Sequence, residues 1–327
     1  MTAPLLQVRH LSVEFHTRAG VNYAVSDVSF DLHEGEILGI VGESGSGKSV
    51  TCSAIMGLLP SPPAHIAPEA AALFEGENLL TMPEKALRRL RGNRISMIFQ
   101  DPMTSLNPTI CIGDQVAEPL VIHHGLSWRE ARERAVAELE LTGIPHARER
   151  AAAYPHEFSG GMRQRVMIAM ALIARPALLI ADEPTTALDV TVQKQVLDLL
   201  RERQQQLGTA IILITHDLGV VKEYSHHIQV MYAGSILEKA PTPELFAHPR
   251  HAYTRALIAS TPMPKLKGKL LPTIPGLPPT QREPVCGCSF RPRNTIGRPD
   301  LCLTDRTPEL IEISPSHLVR NCPGCLS

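Results

Sequence analysis

The residues Gly42-Glu-Ser-Gly-Ser-Gly-Lys48-Ser49 fit the spacing G-x-x-x-x-G-K-[S/T]. In such a loop, glycines at 42, 45 and 47 let successive backbone N–H groups turn inward around phosphate oxygens. A helix N-terminus at the loop's end favours the same anion through its dipole. Lys48 is suited to bridge β- and γ-phosphates, and the Ser49 hydroxyl to ligate Mg²⁺. The plain alternative is a flexible Gly/Ser turn with an incidental lysine. The context argues against that: the apolar run Ile37 to Val41 leads in, and a helix begins near Lys48. Taken alone, the loop leaves kinases, GTPases, helicases and motors all open.

A second chemical group is Leu178-Leu-Ile-Ala-Asp182-Glu183, an apolar strand ending in two carboxylates. Asp182 is placed to hold Mg²⁺, and Glu183 to polarise an attacking water, since phosphoryl transfer rests on positioning and charge neutralisation. An acidic turn capping the next element is the competing reading. A third group, Phe158-Ser159-Gly160-Gly161-Met162-Arg163-Gln164-Arg165, opens a helix and offers a second set of helix-terminal N–H groups. An ordinary cap is its alternative. Two anion sites on one chain are explained economically by a head-to-tail pair of such chains, each completing the other's site.

The elements that would position these groups read as a doubly wound α/β core. Residues 5–15 and 23–32 alternate as strands. The runs 37–41, 177–181 and 210–214 are apolar throughout, as strands buried on both faces of a parallel sheet require. Helical patterns cover 128–141, 162–173 and 192–206, and the stretch from Gln100 to Ser159 reads as an inserted, mainly helical subdomain. The net charge of −1 excludes the basic excess of a nucleic-acid binder. The N-terminus carries no apolar run of signal-peptide length. The longest apolar run, Val166 to Ala181, is broken by Arg175-Pro176, whereas a bilayer-crossing helix needs about 20 apolar residues. Work at a membrane would therefore require docking onto another subunit.

Across residues 5–262 the sequence resembles an ABC ATPase. The phosphate loop, Gln100, Ser159-Gly160-Gly161, Asp182-Glu183, Ala187-Leu-Asp189 and His216 occur in that family's order. The resemblance implies a P-loop ABC ATPase fold with a RecA-like core, an antiparallel β subdomain and a helical subdomain over about 101–175. It makes residues 1–262 the nucleotide-binding domain and 263–327 a Cys/Pro-rich extension. By resemblance, Gly42, Ser44, Gly45, Gly47, Lys48, Ser49 and Val50 bind ATP, and Phe15 stacks on adenine. Ser159, Gly160 and Gly161 hold the γ-phosphate of ATP on a partner. Asp189 links the two sites, and Gln100 senses the membrane subunits. Glu183, His216 and Gln100 are the catalytic set, and Ser49, Gln100 and Asp182 hold Mg²⁺. The family has glutamine after Ser-Gly-Gly where this chain has Met162, which removes one polar contact and not the cradle.

Further motifs resemble the branch that takes up oligopeptides, dipeptides and nickel. They are Asp101-Pro-Met-Thr-Ser-Leu-Asn-Pro108, Ala181-Asp-Glu-Pro-Thr-Thr-Ala-Leu-Asp189, Met231-Tyr-Ala-Gly234, and His248 to Leu257 followed by Leu271-Pro-Thr-Ile-Pro-Gly276. That resemblance implies an importer subunit at the cytoplasmic face of the inner membrane. It would act with a second homologous ATPase, two permeases and an extracytoplasmic binding protein, with no nucleic acid. A soluble ABC ATPase of translation or repair and an exporter ATPase are the rivals. Residues 262–327 hold twelve of the 28 prolines, so regular secondary structure is not expected to dominate there. Five of the seven cysteines crowd the last 42 residues, and in a reducing compartment metal ligation is more plausible than disulfides. In the resembling family this extension carries four cysteines able to hold a [4Fe–4S] cluster. Cys288, Cys302 and Cys322 match, Asn294 replaces the remaining one, and Cys286 or Cys325 is left to supply the fourth thiolate. Zinc would accept the same thiolates. Loss of the site, with the cysteines as buried small apolar groups, is the third alternative.

Overall fold

The computed structural model describes residues 3–101, 105–186, 188–261, 271–279, 282 and 286–326. Residues 102–104, Ala187, and the chain between 262 and 270, all within or beside motifs read above, lie outside them. In chain order the strands are β1 (Leu6–Thr17), β2 (Gly20–Leu32), β3 (Ile37–Val41), β4 (Ala64–Ile66), β5 (Ala71–Phe74), β6 (Glu77–Asn78), β7 (Ile95–Ile98), β8 (Leu178–Asp182), β9 (Ala210–Thr215), β10 (His227–Tyr232), β11 (Ser235–Pro241), β12 (Leu310–Ser314) and β13 (His317–Arg320). The α-helices are α1 (Lys48–Ile55), α2 (Glu84–Leu90), α3 (Ile112–His124), α4 (Trp128–Leu141), α5 (Ala147–Arg150), α6 (Gly160–Leu172), α7 (Val190–Leu207), α8 (Leu218–Tyr224), α9 (Thr242–Ala247) and α10 (Ala252–Ser260). The helix and strands read from periodicity fall on α4, α6, α7 and β1, β2, β3, β8 and β9, with ends shifted by at most three residues.

The chain divides into two compact units, one of residues 1–32, 37–81 and 214–327, the other of residues 33–36 and 82–213. In the first unit, β1 pairs antiparallel with β2, β4 and β5, which in turn pairs with β6. A second layer runs β12-β13-β11-β10-β3, with β10 and β3 parallel. β3 is buried at every residue, as its unbroken apolar run requires. Gly39 lets α8 approach: a Cβ there would sit 2.8 Å from Val221 Cγ1. In the second unit β8 lies between β9 and β7, and the helices α3 to α7 belong to this unit. A capping box at Ser127 and Glu130 starts α4, and Asp189 starts α7 by accepting from the Thr191 and Val192 amides, each at 3.0 Å. The Arg203–Glu138 ion pair (2.7 Å) ties α7 to α4.

Residues after 285 are not a loose appendage. Two 3₁₀ turns, Arg291–Arg293 and Pro299–Leu301, precede the β12–β13 hairpin, and β13 adds to β11. Phe290 packs against Tyr232 and Tyr253, with ring centroids at 5.6 and 5.3 Å. Glu238, fully buried on β11, faces His317 Nε2 at 2.8 Å and accepts the amides of Arg250 (2.7 Å) and His251 (2.9 Å). Glu238→Ala takes the acceptor from a buried imidazole, the buried His251 amide and the part-buried Arg250 amide. It should cost about 3–5 kcal/mol of stability, read as a fall in the denaturant midpoint of the full chain.

The phosphate loop depends on glycine for space as well as flexibility. A Cβ on Gly42 would lie 2.1 Å from Met231 O, and one on Gly47 (φ +98°) 2.5 Å from Ala24 O. Gly45 (φ +78°) has nothing within 4 Å. Gly42→Ala must push backbone apart and should destabilise by about 3 kcal/mol or more. Gly45→Ala meets only the left-handed strain of about 1 kcal/mol. Parallel unfolding curves of the two variants check the ranking.

Candidate active site

Each group found in the sequence can be built from its own element. In the first unit, β3 ends at Val41, the loop turns through Gly42 to Gly47, and α1 begins at Lys48 with no side-chain cap on its first turn. That leaves the helix start to be satisfied by something other than a side chain, as an anion would do. Gly42, Gly47 and Lys48 are buried, Ser49 and Val50 half-buried, and Ser44 and Gly45 exposed at the loop's tip. Lys48 Nζ donates to Gly42 O (2.9 Å) and Glu43 O (3.0 Å), so its ammonium lies folded into the loop. A cleft of about 570 Å³ opens at the tip, lined by Ser44, Gly45, Asn22 and, from the tail, Leu277, Pro279 and Arg282. Phe15, half-buried near the end of β1, pairs with Asn22 and Ala64. His216 is exposed just beyond β9. Its neighbour Asp217 caps α8 through the Gly219 amide (2.7 Å).

The second unit carries the carboxylates. Asp182 closes β8 and is buried, and Glu183 follows in left-handed backbone at φ +47°. A non-glycine residue held there stores about 1–3 kcal/mol of strain, a cost concentrated at functional positions. One oxygen of Glu183 accepts from Gln100 Nε2 (3.1 Å) and Thr186 Oγ1 (2.9 Å), so the carboxylate is aimed by two donors. Ser159 caps α6 by accepting from the Met162 amide (3.4 Å), and Ser159 and Gly160 are exposed at the helix tip. A Cβ on Gly161 would lie 2.7 Å from Val192 Cγ1, in the first turn of α7. The cap of α7, Asp189, therefore stands beside the Ser-Gly-Gly turn. The structure brings together Gln100, Glu183 and Thr186, and separately Ser159, Gly160, Gly161 and Asp189. Thr186 falls within the Ala181-to-Asp189 motif, but the sequence gives it no role of its own.

The tail forms a third group. The thiols of Cys288, Cys302, Cys322 and Cys325 are all buried and lie within 4.8 Å of one another, so they could hold a metal. Cys325 is thus the fourth member. Cys286 stands apart, exposed, its thiol against Thr304 O and Asp305 O. Cys325 Sγ is 3.6 Å from Cys288 Sγ and 3.8 Å from Cys302 Sγ. The hydrogen bond with Cys325 pulls the Cys288 thiol down to about 4, with further help from His251, while burial pushes Cys302 up to about 12. One member of the group is therefore a ready thiolate, the form that ligates metals. Asn294 Nδ2, where the resembling family has cysteine, donates to Cys302 Sγ (3.6 Å) and Cys325 Sγ (3.5 Å). Sequence reasoning missed Arg293 altogether: it contacts Glu43 of the phosphate loop (2.9 Å), and nothing in the loop pattern marks position 43.

Comparisons with known proteins identify the family. A family profile described as ABC transporter matches residues 25–186, and one described as the oligopeptide/dipeptide transporter C-terminal region matches 237–302. The oligopeptide transport ATP-binding protein OppD of Bacillus subtilis is 49% identical over 319 residues, covering 97% of this chain and 88% of that protein. The dipeptide transport ATP-binding protein DppD of Lactococcus lactis is 48% identical over 318 residues, covering 97% and 90%. Among solved structures, the ATP-binding cassette MJ0796, a dimer in a post-hydrolysis state bound to ADP and Pi, superposes with a TM-score of 0.65. Its identity is 26%, over 72% of this chain and 98% of that one. These matches displace the translation, repair and exporter readings. This chain, with its ABC ATPase fold and cysteine-bearing extension, belongs to the ATP-binding proteins of the oligopeptide and dipeptide ABC importers.

Proposed function

We propose that this ATPase drives uptake of peptides or related small solutes from the cytoplasmic face of a bacterial inner membrane. It would work beside a second homologous ATPase, under two permeases supplied by an extracytoplasmic binding protein. Among the described residues no helix is long and apolar enough to cross a membrane, so the permeases would supply the crossing. The observation that carries the reading is the pair of glycine-rich helix starts. One encloses a buried lysine; the other, Ser159-Gly160, is exposed at its helix tip. The second suits a phosphate held by a neighbouring chain, as in a head-to-tail dimer.

In this reading Gly42 to Val50 cradle the phosphates of ATP, Lys48 bridges β and γ, and Phe15 stacks on adenine. By the family resemblance Ser49, Asp182 and Gln100 would be the Mg²⁺ ligands, and the ion would supply positive charge against the phosphates. Glu183, aimed by Gln100 and Thr186, accepts a proton from water as its oxygen bonds to the γ-phosphorus. The bond to the β-phosphate oxygen breaks, releasing ADP and inorganic phosphate. His216 contacts the γ-phosphate, and Asp189 joins the two sites. ATP's higher affinity for the closed pair drives the permeases, and hydrolysis reopens it. Glu183→Gln keeps the shape and both donors' acceptor but loses the base. It should leave nucleotide affinity within about twofold while turnover falls by about 10² or more. Nucleotide titration and phosphate release on the co-purified assembly measure the two; undiminished turnover would remove Glu183 from this role.

For the tail we propose a [4Fe–4S] cluster on Cys288, Cys302, Cys322 and Cys325, with Cys325 compensating for Asn294. Thiol separations of 3.6 and 3.8 Å favour a second reading, a single zinc ion. Zn–S bonds of about 2.3 Å set tetrahedral edges near 3.8 Å. Iron, acid-labile sulfide and zinc measured per chain after anaerobic purification decide between them. About four irons with four sulfides support the cluster, about one zinc supports the ion, and neither metal at full chain yield removes both.

A further inference from the structure

The phosphate loop contains an acidic residue, Glu43, in a segment whose task is to attract a polyanion. An uncompensated carboxylate there repels phosphate. Its compensation comes from the far end of the chain: Arg293 Nη1 donates to both Glu43 carboxylate oxygens, at 3.1 and 2.9 Å. The guanidinium is buried and fixed on all sides. Nε donates to Pro275 O (2.8 Å), Nη1 also to Tyr232 Oη (3.3 Å), and Nη2 to Ile274 O (3.4 Å). Glu43 is held at two further atoms. Its amide donates to Tyr253 Oη (3.1 Å), and its carbonyl accepts from Lys48 Nζ (3.0 Å). The residue that Arg293 grips therefore supplies a carbonyl to the loop's lysine.

Arg293 belongs to a short segment, Cys288 to Asn294, whose two ends both touch the thiol group. Cys288 is a member, and Asn294 Nδ2 bonds the sulfurs of Cys302 and Cys325. Between them Phe290 is packed against Tyr232 and Tyr253, the same two tyrosines that flank Arg293 and Glu43. The Tyr232 and Tyr253 rings meet at a tilt of 54° with centroids 4.6 Å apart, which leaves the segment little room to shift alone. Thiol group, aromatic trio and loop are one packed unit. The segment from Cys288 to Arg293 connects the thiol group to Glu43.

We propose that Arg293 is a positioning residue of the phosphate loop, and that through the Arg293–Glu43 pair the cysteine group of the tail sets nucleotide affinity. The proposal rests on ATP being held at Gly42 to Ser49. The pair neutralises the loop's own negative charge and fixes the carbonyl that Lys48 leans on. Disorder at the cysteine group releases Arg293, and the bare carboxylate then opposes ATP.

The test is equilibrium titration of the full-length chain with a fluorescent ATP analogue, in wild type and variants. Arg293→Ala should weaken affinity about tenfold, within the ordinary range for coupling between sites. Adding Glu43→Gln to Arg293→Ala should restore most of it, because the uncompensated charge is gone; a merely structural arginine would show no such rescue. Cys302→Ser should weaken binding in the wild-type background and have no further effect once Glu43→Gln is present. Reaction of the buried thiols with a thiol reagent under native conditions reports whether the tail of each variant is intact. Should Arg293→Ala loosen the tail, the Cys302→Ser comparison in wild type and in Glu43→Gln, where the arginine remains, still decides. Wild-type affinity in Arg293→Ala, or an equal Cys302→Ser loss in both backgrounds, overturns the proposal. A wild-type chain that binds no nucleotide would overturn instead the assignment of the loop.

Discussion

The structure is organised around one costly placement, a lysine ammonium buried inside a backbone loop. A charge removed from water must be met by dipoles or by an opposite charge. Lys48 has the carbonyls of Gly42 and Glu43 at 2.9 and 3.0 Å. These carbonyl dipoles offset part of the desolvation, and a bound phosphate would add an opposite charge. The demand propagates outward. The loop can wrap the ammonium only if Gly42 passes under Met231 and Gly47 under Ala24, so β2 and the end of β10 must lie where they do. The full burial of β3 follows from carrying the loop at the edge of a packed sheet.

What could be read in the sequence was whatever is local and periodic. The loop, the Asp182-Glu183 strand end and the Ser-Gly-Gly helix start announce themselves because phosphate chemistry needs fixed spacings along a single turn. Buried strands and long helices announce themselves by hydrophobic period. The donors on Glu183 divide along the same line. Gln100 has a family position and was found, while Thr186 acts by a side-chain contact that no spacing encodes. Nor can periodicity show that a glutamate sits in left-handed backbone.

The tail was the least legible part, for a physical reason. Its proline content argues against regular structure, and among its described residues only short 3₁₀ turns and one hairpin occur. Its order comes from long-range contacts instead. Sequence reasoning could count thiols but could not choose between Cys286 and Cys325, which lie on either side of Cys288 and Cys322. The choice is made by tertiary packing: the Cys325 carbonyl accepts from the Ala252 amide (2.8 Å) and Cys325 is buried, while Cys286 stays at the surface. Asn294 shows the same effect. Its amide donates to Gly324 O (2.8 Å) and also meets the Cys302 and Cys325 sulfurs.

The tail's attachment also explains how a segment poor in secondary structure can serve an ATPase. A loosely tethered extension could not sense or set anything at the loop, because its own fluctuations would absorb any change. Here β13 extends a sheet edge at β11, and the buried Glu238 carboxylate joins β11 to His317 and to the start of α10. Those contacts, with the Phe290 trio, make the last forty residues part of the same core as β3 and β10. In a close-packed interior a displacement is passed on rather than dissipated. Anchoring on two sides, by the hairpin at one end and the thiol group at the other, is what turns a proline-rich stretch into a lever on Glu43.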